Sequence, residues 1–276
     1  MKLVNNALAL LAGLSCVFGF APFGIFPVPV LALAVLFSLW ARADTPRAAA
    51  GSGFFFGLGL FGAGVAWIYV ALHDYGGMSM WLAGSATLLF SAFLALFPAL
   101  AGLLQARAAK KLPLLRLVLV MPAVWVLIEL LRGMIFTGFP WLTLGYAHSG
   151  SPLAGYAPLL GAYGVSLLAA ICAGLLAVLW AERWSRTGLI ALSVFALLWT
   201  AGGLLRSVNW THPQGAPFSV ALVQGNIGQD TKFKEEALDD TLNTYRRLVM
   251  QNPAKLTVLK LPQFLIAFCV KRSPML

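Results

Sequence analysis

Few residues in this chain of 276 could do chemistry, and they are scattered. Glu129 and Arg132 stand three apart near the end of a long apolar stretch. On a helix that spacing puts both side chains on one face, where they can bond to each other. An ionisable residue so deep in apolar sequence is a functional candidate by default. The planar, permanently charged guanidinium of Arg132 suits a lipid phosphate. His73 and Asp74 lead into a Tyr75-Gly-Gly turn and, with no nucleophile nearby, read as a helix end at an interface. Cys16 and Cys172 lie inside apolar stretches, where a thiol behaves as a small hydrophobe. Cys269 stands alone in the tail, and the three cysteines imply no disulfide framework.

The elements that must position these residues are seven apolar stretches, at about 3–20, 24–41, 53–72, 81–105, 114–131, 159–181 and 189–205. Each is close to the roughly 20 residues that one helical membrane span requires. With 60% hydrophobic residues, 10% charged and a mean hydropathy of +0.85, the chain departs far from a soluble domain's balance. The expected architecture is a polytopic α-helical membrane protein with seven transmembrane helices. Lys2 precedes the first stretch, but without a small-x-small cleavage site and a soluble domain behind it this segment reads as a retained helix.

A net charge of +10 could suggest nucleic acid, but its placement argues otherwise. Lys2, Arg42, Arg47, Arg107, Lys110, Lys111, Arg116, Arg183 and Arg186 all fall on one side of a seven-span topology. Only Arg132 and Arg206 fall on the other before residue 211. Nine against two is the positive-inside bias, so the N-terminus is expected in the cytoplasm and the chain beyond 210 outside. Nucleic acid is not an expected partner.

Between the fifth and sixth stretches about 27 residues, 132–158, carry many Gly, Pro and aromatic residues and few charges. Such a link is no ordinary solvated loop. It is either an interfacial aromatic belt or a membrane-surface element lining a lipid-accessible cavity. From about Thr211 the character changes again. His212-Pro-Gln-Gly-Ala-Pro217 is linker composition, and Phe218-Ser-Val-Ala-Leu-Val223 reads as a buried strand. Leu238, Leu242, Tyr245 and Leu248 repeat at helical spacing, with acids early and Arg246 and Arg247 late, as the helix dipole favours. Leu256-Thr-Val-Leu259 reads as a second strand. Strand, helix, strand opens an α/β domain, but the 66 residues after 210 are too few to cover a parallel sheet on both faces.

Three motifs in this order, Gly19-Phe-Ala-Pro-Phe-Gly24, Phe136-Thr-Gly-Phe-Pro-Trp141 and Val220-Ala-Leu-Val-Gln-Gly-Asn-Ile227, closely resemble those of the bacterial apolipoprotein N-acyltransferases, over roughly residues 1–258. The resemblance implies a multi-pass protein of the bacterial inner membrane, its periplasmic nitrilase-like domain beginning within 211–258. It implies transfer of an acyl chain from a phospholipid donor through a cysteine thioester to a diacylglyceryl apolipoprotein acceptor. A monomer without cofactor or metal is implied as well. By motif, Arg132, Phe139 and Trp141 match the segment beneath the nitrilase-like domain, and Phe233 falls where many members carry Trp on a mobile covering loop. These four are the expected lipid-binding residues, Arg132 for the headgroup and Trp141 for acyl-chain or interface contact.

The family's Glu, Lys, Cys triad is not met in this sequence. The Glu belongs to a Leu-Pro-Glu or Trp-Pro-Glu motif after the second strand, whereas the chain reads Leu259-Lys-Leu-Pro-Gln-Phe264. Gln263 then takes the general base's position, where an amide cannot accept the thiol proton. Leu259-Lys-Leu-Pro262 written CTG-AAA-CTG-CC, with a C before it, reads CCT-GAA-ACT-GCC or Pro-Glu-Thr-Ala in a shifted frame, so residues 259–276 read as an out-of-frame tail and the chain as an inactive fragment. Cys269 has no Lys at the family's distance and is not taken as the nucleophile. The alternative is a polytopic transporter, although the spans hold almost no buried charge and no internal repeat.

Overall fold

Apolar sequence in lipid has no water to bond its backbone, so each stretch must close its own hydrogen bonds as a helix. The computed structural model describes residues 2–108, 111–183, 185–228, 235–252 and 256–260. They fall in two compact units that divide between Trp210 and Thr211.

Among the described residues the first unit is built of helices and the links between them. Its helices are α1 (Lys2–Gly19), α2 (Pro27–Ala41), α3 (Pro46–Gly64), α4 (Trp67–Tyr75), α5 (Met80–Gln105), α6 (Pro113–Arg132), α7 (Pro152–Glu182) and α8 (Arg186–Leu205). Five of these, α1 and α5 to α8, are long and apolar enough to cross a membrane. A sixth span exists if α3 and α4, bent by 47° at their junction, are taken together. The stretch at 53–72 is therefore no straight helix. Thr45 caps α3 by accepting from the Ala48 amide and Pro46 starts it, which places the helix earlier than hydropathy alone suggests.

The stretch at 24–41 yields only the 15 residues of α2. At 1.5 Å per residue that is about 22 Å, short of a hydrocarbon core of about 30 Å. Proline marks the start: Pro22, Pro27 and Pro29 crowd its beginning, and α2 opens at Pro27, in the first turn where a missing N–H costs no helical hydrogen bond. Helix α2 is also an inner element, with Val30, Leu33, Leu36, Phe37 and Trp40 all buried.

Close helix contact in lipid rests on small residues, which let backbones approach. Gly53 and Gly57 of α3 form such a pair. A Cβ on Gly53 would lie 2.3 Å from the Pro98 carbonyl oxygen, and one on Gly57 would lie 2.8 Å from the Ala95 Cα, both on α5. In the most apolar window of α7, 56% of residues are buried, against 17% for α8. Thus α7 is central, and α8 turns residues such as Ile190, Leu197 and Leu204 outward.

In the second unit β1 (Val220–Gln224) pairs in parallel with β2 (Leu256–Lys260), in the register Val220↔Leu256 to Gln224↔Lys260. Helix α9 (Leu238–Gln251) lies between them in sequence. Its buried face is centred on Thr241 and Tyr245, whereas Leu238 and Leu242 are exposed. Of the apolar stripe read from the sequence, Tyr245 lies on the face that packs and Leu248 is half-buried, while Leu238 and Leu242 turn outward. A Cβ on Gly225, just after β1, would lie 2.9 Å from the Tyr245 ring.

Candidate functional site

Helix α6 ends at Arg132, and both of its ionisable residues near that end point inward. Glu129 and Arg132 are each only 4% exposed. They do not form the local ion pair that their spacing predicts: among the described residues the ion pair is His73 with Asp74, at 4.0 Å. Both instead bond the chain that follows. The Glu129 Oε1 accepts from the Leu144 amide at 2.9 Å. The Arg132 Nη1 donates to the Phe139 carbonyl at 2.6 Å and also to the Trp141 carbonyl. Its Nη2 reaches the Thr143 hydroxyl at 3.4 Å, and the Arg132 carbonyl accepts from the Phe139 amide at 2.9 Å.

A loop so held adopts backbone shapes that it would not choose alone. Phe136, Thr137 and Leu142 have φ of 52°, 71° and 61°, a region that costs a non-glycine residue about 1 kcal/mol or more. Gly138 has φ 84°, and a Cβ there would meet the Gly133 carbonyl oxygen at 2.0 Å. The Thr143 hydroxyl donates to the Pro140 carbonyl at 2.8 Å, and the Gly145 amide donates to Ser166 of α7 at 2.7 Å. The loop over residues 133–151 is therefore fastened to α6 and α7 through buried polar groups.

This fastening sets out an aromatic surface. The Phe139 and Trp141 rings stack at 5.2 Å and 21°. Phe139 meets Phe90 of α5 edge-on at 5.1 Å, and Trp141 lies 6.3 Å from Trp67 of α4. Phe136 lies 6.0 Å from Phe93. Phe136, Trp141 and Trp67 are exposed, so their rings form an apolar patch. Beneath them a cavity lined by Phe61, Phe97, Trp125, Glu129, Arg132 and Leu142 has a volume of about 20 Å³, enough for one water. The Phe61 ring lies 5.2 Å under the guanidinium. Glu129 Oε2 and the Trp125 indole nitrogen are buried without a hydrogen-bond partner.

Of the residues singled out from the sequence, the structure brings Arg132, Phe139 and Trp141 together. The guanidinium faces the loop carbonyls, not the surface. Phe233 and Gln263 lie outside the described residues, as does Cys269. His73 lies in the last turn of α4, which runs on to Tyr75, with its Nδ1 2.7 Å from the Met78 carbonyl. One residue was missed. His148 is fully buried, between Phe26 and Trp199, with Nδ1 3.2 Å from the Ser151 hydroxyl and Nε2 unpartnered. Burial pushes its pKa down to about 4. A lone histidine in a Gly- and Tyr-rich segment gives no sequence signal of this.

The loop, its two polar anchors and the aromatic surface all lie within the part that comparison with known proteins identifies. Residues 12–175 match the apolipoprotein N-acyltransferase N-terminal domain. The chain belongs to the apolipoprotein N-acyltransferase family. Similar proteins with that name include one from Nitrosomonas europaea, 46% identical over 89% of this chain and 49% of the relative. Another, from Methylococcus capsulatus, is 45% identical over 89% and 48%. A third, from Ralstonia nicotianae, is 45% identical over 91% and 48%. The chain thus spans about half the length of the curated relatives it matches. Family membership does not favour the transporter reading.

Proposed function

We propose that this chain supplies the membrane part of an enzyme that N-acylates the N-terminal diacylglyceryl-cysteine of apolipoproteins, with a phospholipid as acyl donor. The observation that carries this reading is the fastened loop, whose Phe139–Trp141 stack is set at one end of the bundle by Arg132 and Glu129. Both substrates are held in the bilayer by acyl chains, so a reactive centre above the membrane needs an apolar surface along which the chains can rise to it. The resemblance implies two steps: a thiolate displaces the acyl group from its phospholipid ester, leaving a lysophospholipid, and the acceptor's amine then displaces the thiol. In this reading Arg132 acts by holding the loop, while Trp141 and Phe139 touch acyl chain.

The same proposal takes the apolar stretches as seven crossings, α2 and the bent α3–α4 pair included. The N-terminus is then cytoplasmic, and residues 211–258 form the start of a periplasmic nitrilase-like domain. Supporting this are the nine-to-two basic bias and the parallel β1–β2 pair. With Gln263 where the base is expected, these 276 residues by themselves leave the transfer incomplete, because nucleophile and base act as a unit.

The test is saturable binding of a synthetic diacylglyceryl-cysteine lipopeptide to the protein in micelles. Binding weakened by Trp141→Ala and Phe139→Ala supports the reading. Absence of saturable binding, or binding indifferent to both substitutions, overturns it. Mass spectrometry of lipoprotein N-termini, in cells depleted of their own enzyme and expressing residues 1–276, should show no added acyl chain.

A further inference from the structure

At the opposite end of the bundle from the loop lies a second, larger cavity. The start of α1, the end of α2, the start of α3 and the end of α5 surround about 1100 Å³. Four cations line it, Lys2, Arg42, Arg47 and Arg107, against one carboxylate, Asp44. All five are exposed, and none has an ion-pair partner among the described residues. The inner wall is apolar, with Leu39 and Leu103. The N-terminus of α3 opens here too, adding the positive end of a 19-residue helix.

A topological charge bias asks only that cations lie on one side. It does not ask that four of them, from three separate parts of the chain, line one concave space beside an apolar wall. That combination is what an anionic headgroup with attached acyl chains requires: fixed positive charge for the phosphate and hydrocarbon contact for the chains.

We propose that this cavity is a binding site for the headgroup of an anionic phospholipid, separate from the aromatic surface proposed above to contact acyl chains. Arg42 and Arg47 flank the headgroup from the α2–α3 link, Lys2 and Arg107 close it from α1 and α5, and Leu39 and Leu103 meet the upper part of an acyl chain. That the lipid comes from the cytoplasmic leaflet rests on the orientation given above; the site itself does not.

The experiment is native mass spectrometry of the protein in micelles, titrated with phosphatidylglycerol or with zwitterionic phosphatidylcholine. Phosphatidylglycerol should bind preferentially, and Arg42→Gln with Arg47→Gln should weaken it about 30-fold, from about 1 kcal/mol per basic residue. Charge removal could also disturb insertion, so a second variant leaves charge alone. A Cβ on Gly51 would meet only Asn6 Oδ1, at 3.9 Å, so Gly51→Leu fills the cavity from a helix that tolerates it. It should abolish the preference, whereas Gly84→Leu, with open space at the far end of α5, should not. Inorganic phosphate should fail to displace the lipid. Equal binding of the two lipids, a Gly51→Leu protein that binds as before, or displacement by free phosphate would each overturn the proposal. Micelles have no sides, so this outcome is independent of orientation; a reporter fused beside Arg42 and found outside would overturn the leaflet alone.

Discussion

The two ends of the bundle treat charge in opposite ways. At the loop end, Glu129 and Arg132 are buried, and their bonds go to backbone amides and carbonyls of residues 139–144. At the other end, Arg42, Arg47 and Arg107 stand exposed around a cavity. A buried charge is costly unless its hydrogen bonds are met; the Arg132 guanidinium meets its own in the loop and Glu129 commits Oε1 to the Leu144 amide, so both groups serve structure. An exposed cation keeps water as its partner and can exchange it for a ligand. Arg116 lies between these cases: it donates to Gln105 at 2.8 Å and to the Trp40 carbonyl at 3.2 Å, joining α2, α5 and α6.

Breaking the loop end should therefore cost stability, and breaking the cavity end should not. The largest effect is expected for Arg132→Leu, which strands the Phe139 and Trp141 carbonyls. A charged hydrogen bond contributes about 1.5–3 kcal/mol, so a loss of about 3 kcal/mol is predicted, with new protease cleavage within residues 136–142. Glu129→Ala removes one buried acceptor and should cost about 2 kcal/mol. Glu129→Gln keeps an acceptor for the Leu144 amide and should cost less. Arg42→Gln, at the cavity end, should stay within about 0.5 kcal/mol in thermal unfolding. An Arg42→Gln loss as large as that of Arg132→Leu would erase the contrast.

A smaller effect concerns pH. The His148 pKa falls from 6.5 to about 4 on burial, so above 6.5 both folded and unfolded chains hold it neutral and it contributes nothing. As pH falls from 6.5 towards 4, the unfolded chain takes the proton first and stability declines. His148→Phe should flatten the fall of melting temperature with pH across that window. An unchanged slope would remove His148 from the account.

Much of the helical part was legible because apolar length is a strong signal: the stretches at 81–105, 114–131 and 189–205 are close to α5, α6 and α8. What hydropathy could not read was geometry within apolar sequence. The proline cluster at the start of α2 and the 47° bend after Gly64 change no average. In the second unit the two strands were legible as short apolar runs, but the face of α9 was set by which side met β1, which puts Thr241 inside and Leu242 outside. At the site, the aromatic residues and Arg132 were visible as unusual types in their places. Their arrangement was not, since Glu129 and Arg132 sit at the spacing of a local pair and the structure turns both to a loop up to 15 residues away.

Arg132 serves as a fork holding the loop and not as a charge for a headgroup, and Arg132→Lys separates the two roles. Lysine keeps the positive charge that a phosphate needs but lacks the planar set of donors that reaches the Phe139 and Trp141 carbonyls together. Hydrogen–deuterium exchange over residues 136–145 is the measurement. Arg132→Lys should speed exchange at the Phe139 and Leu144 amides nearly as much as Arg132→Leu, with lipopeptide binding weakened alongside. Protection and binding kept at wild-type level in Arg132→Lys, and lost only in Arg132→Leu, would contradict the fork role.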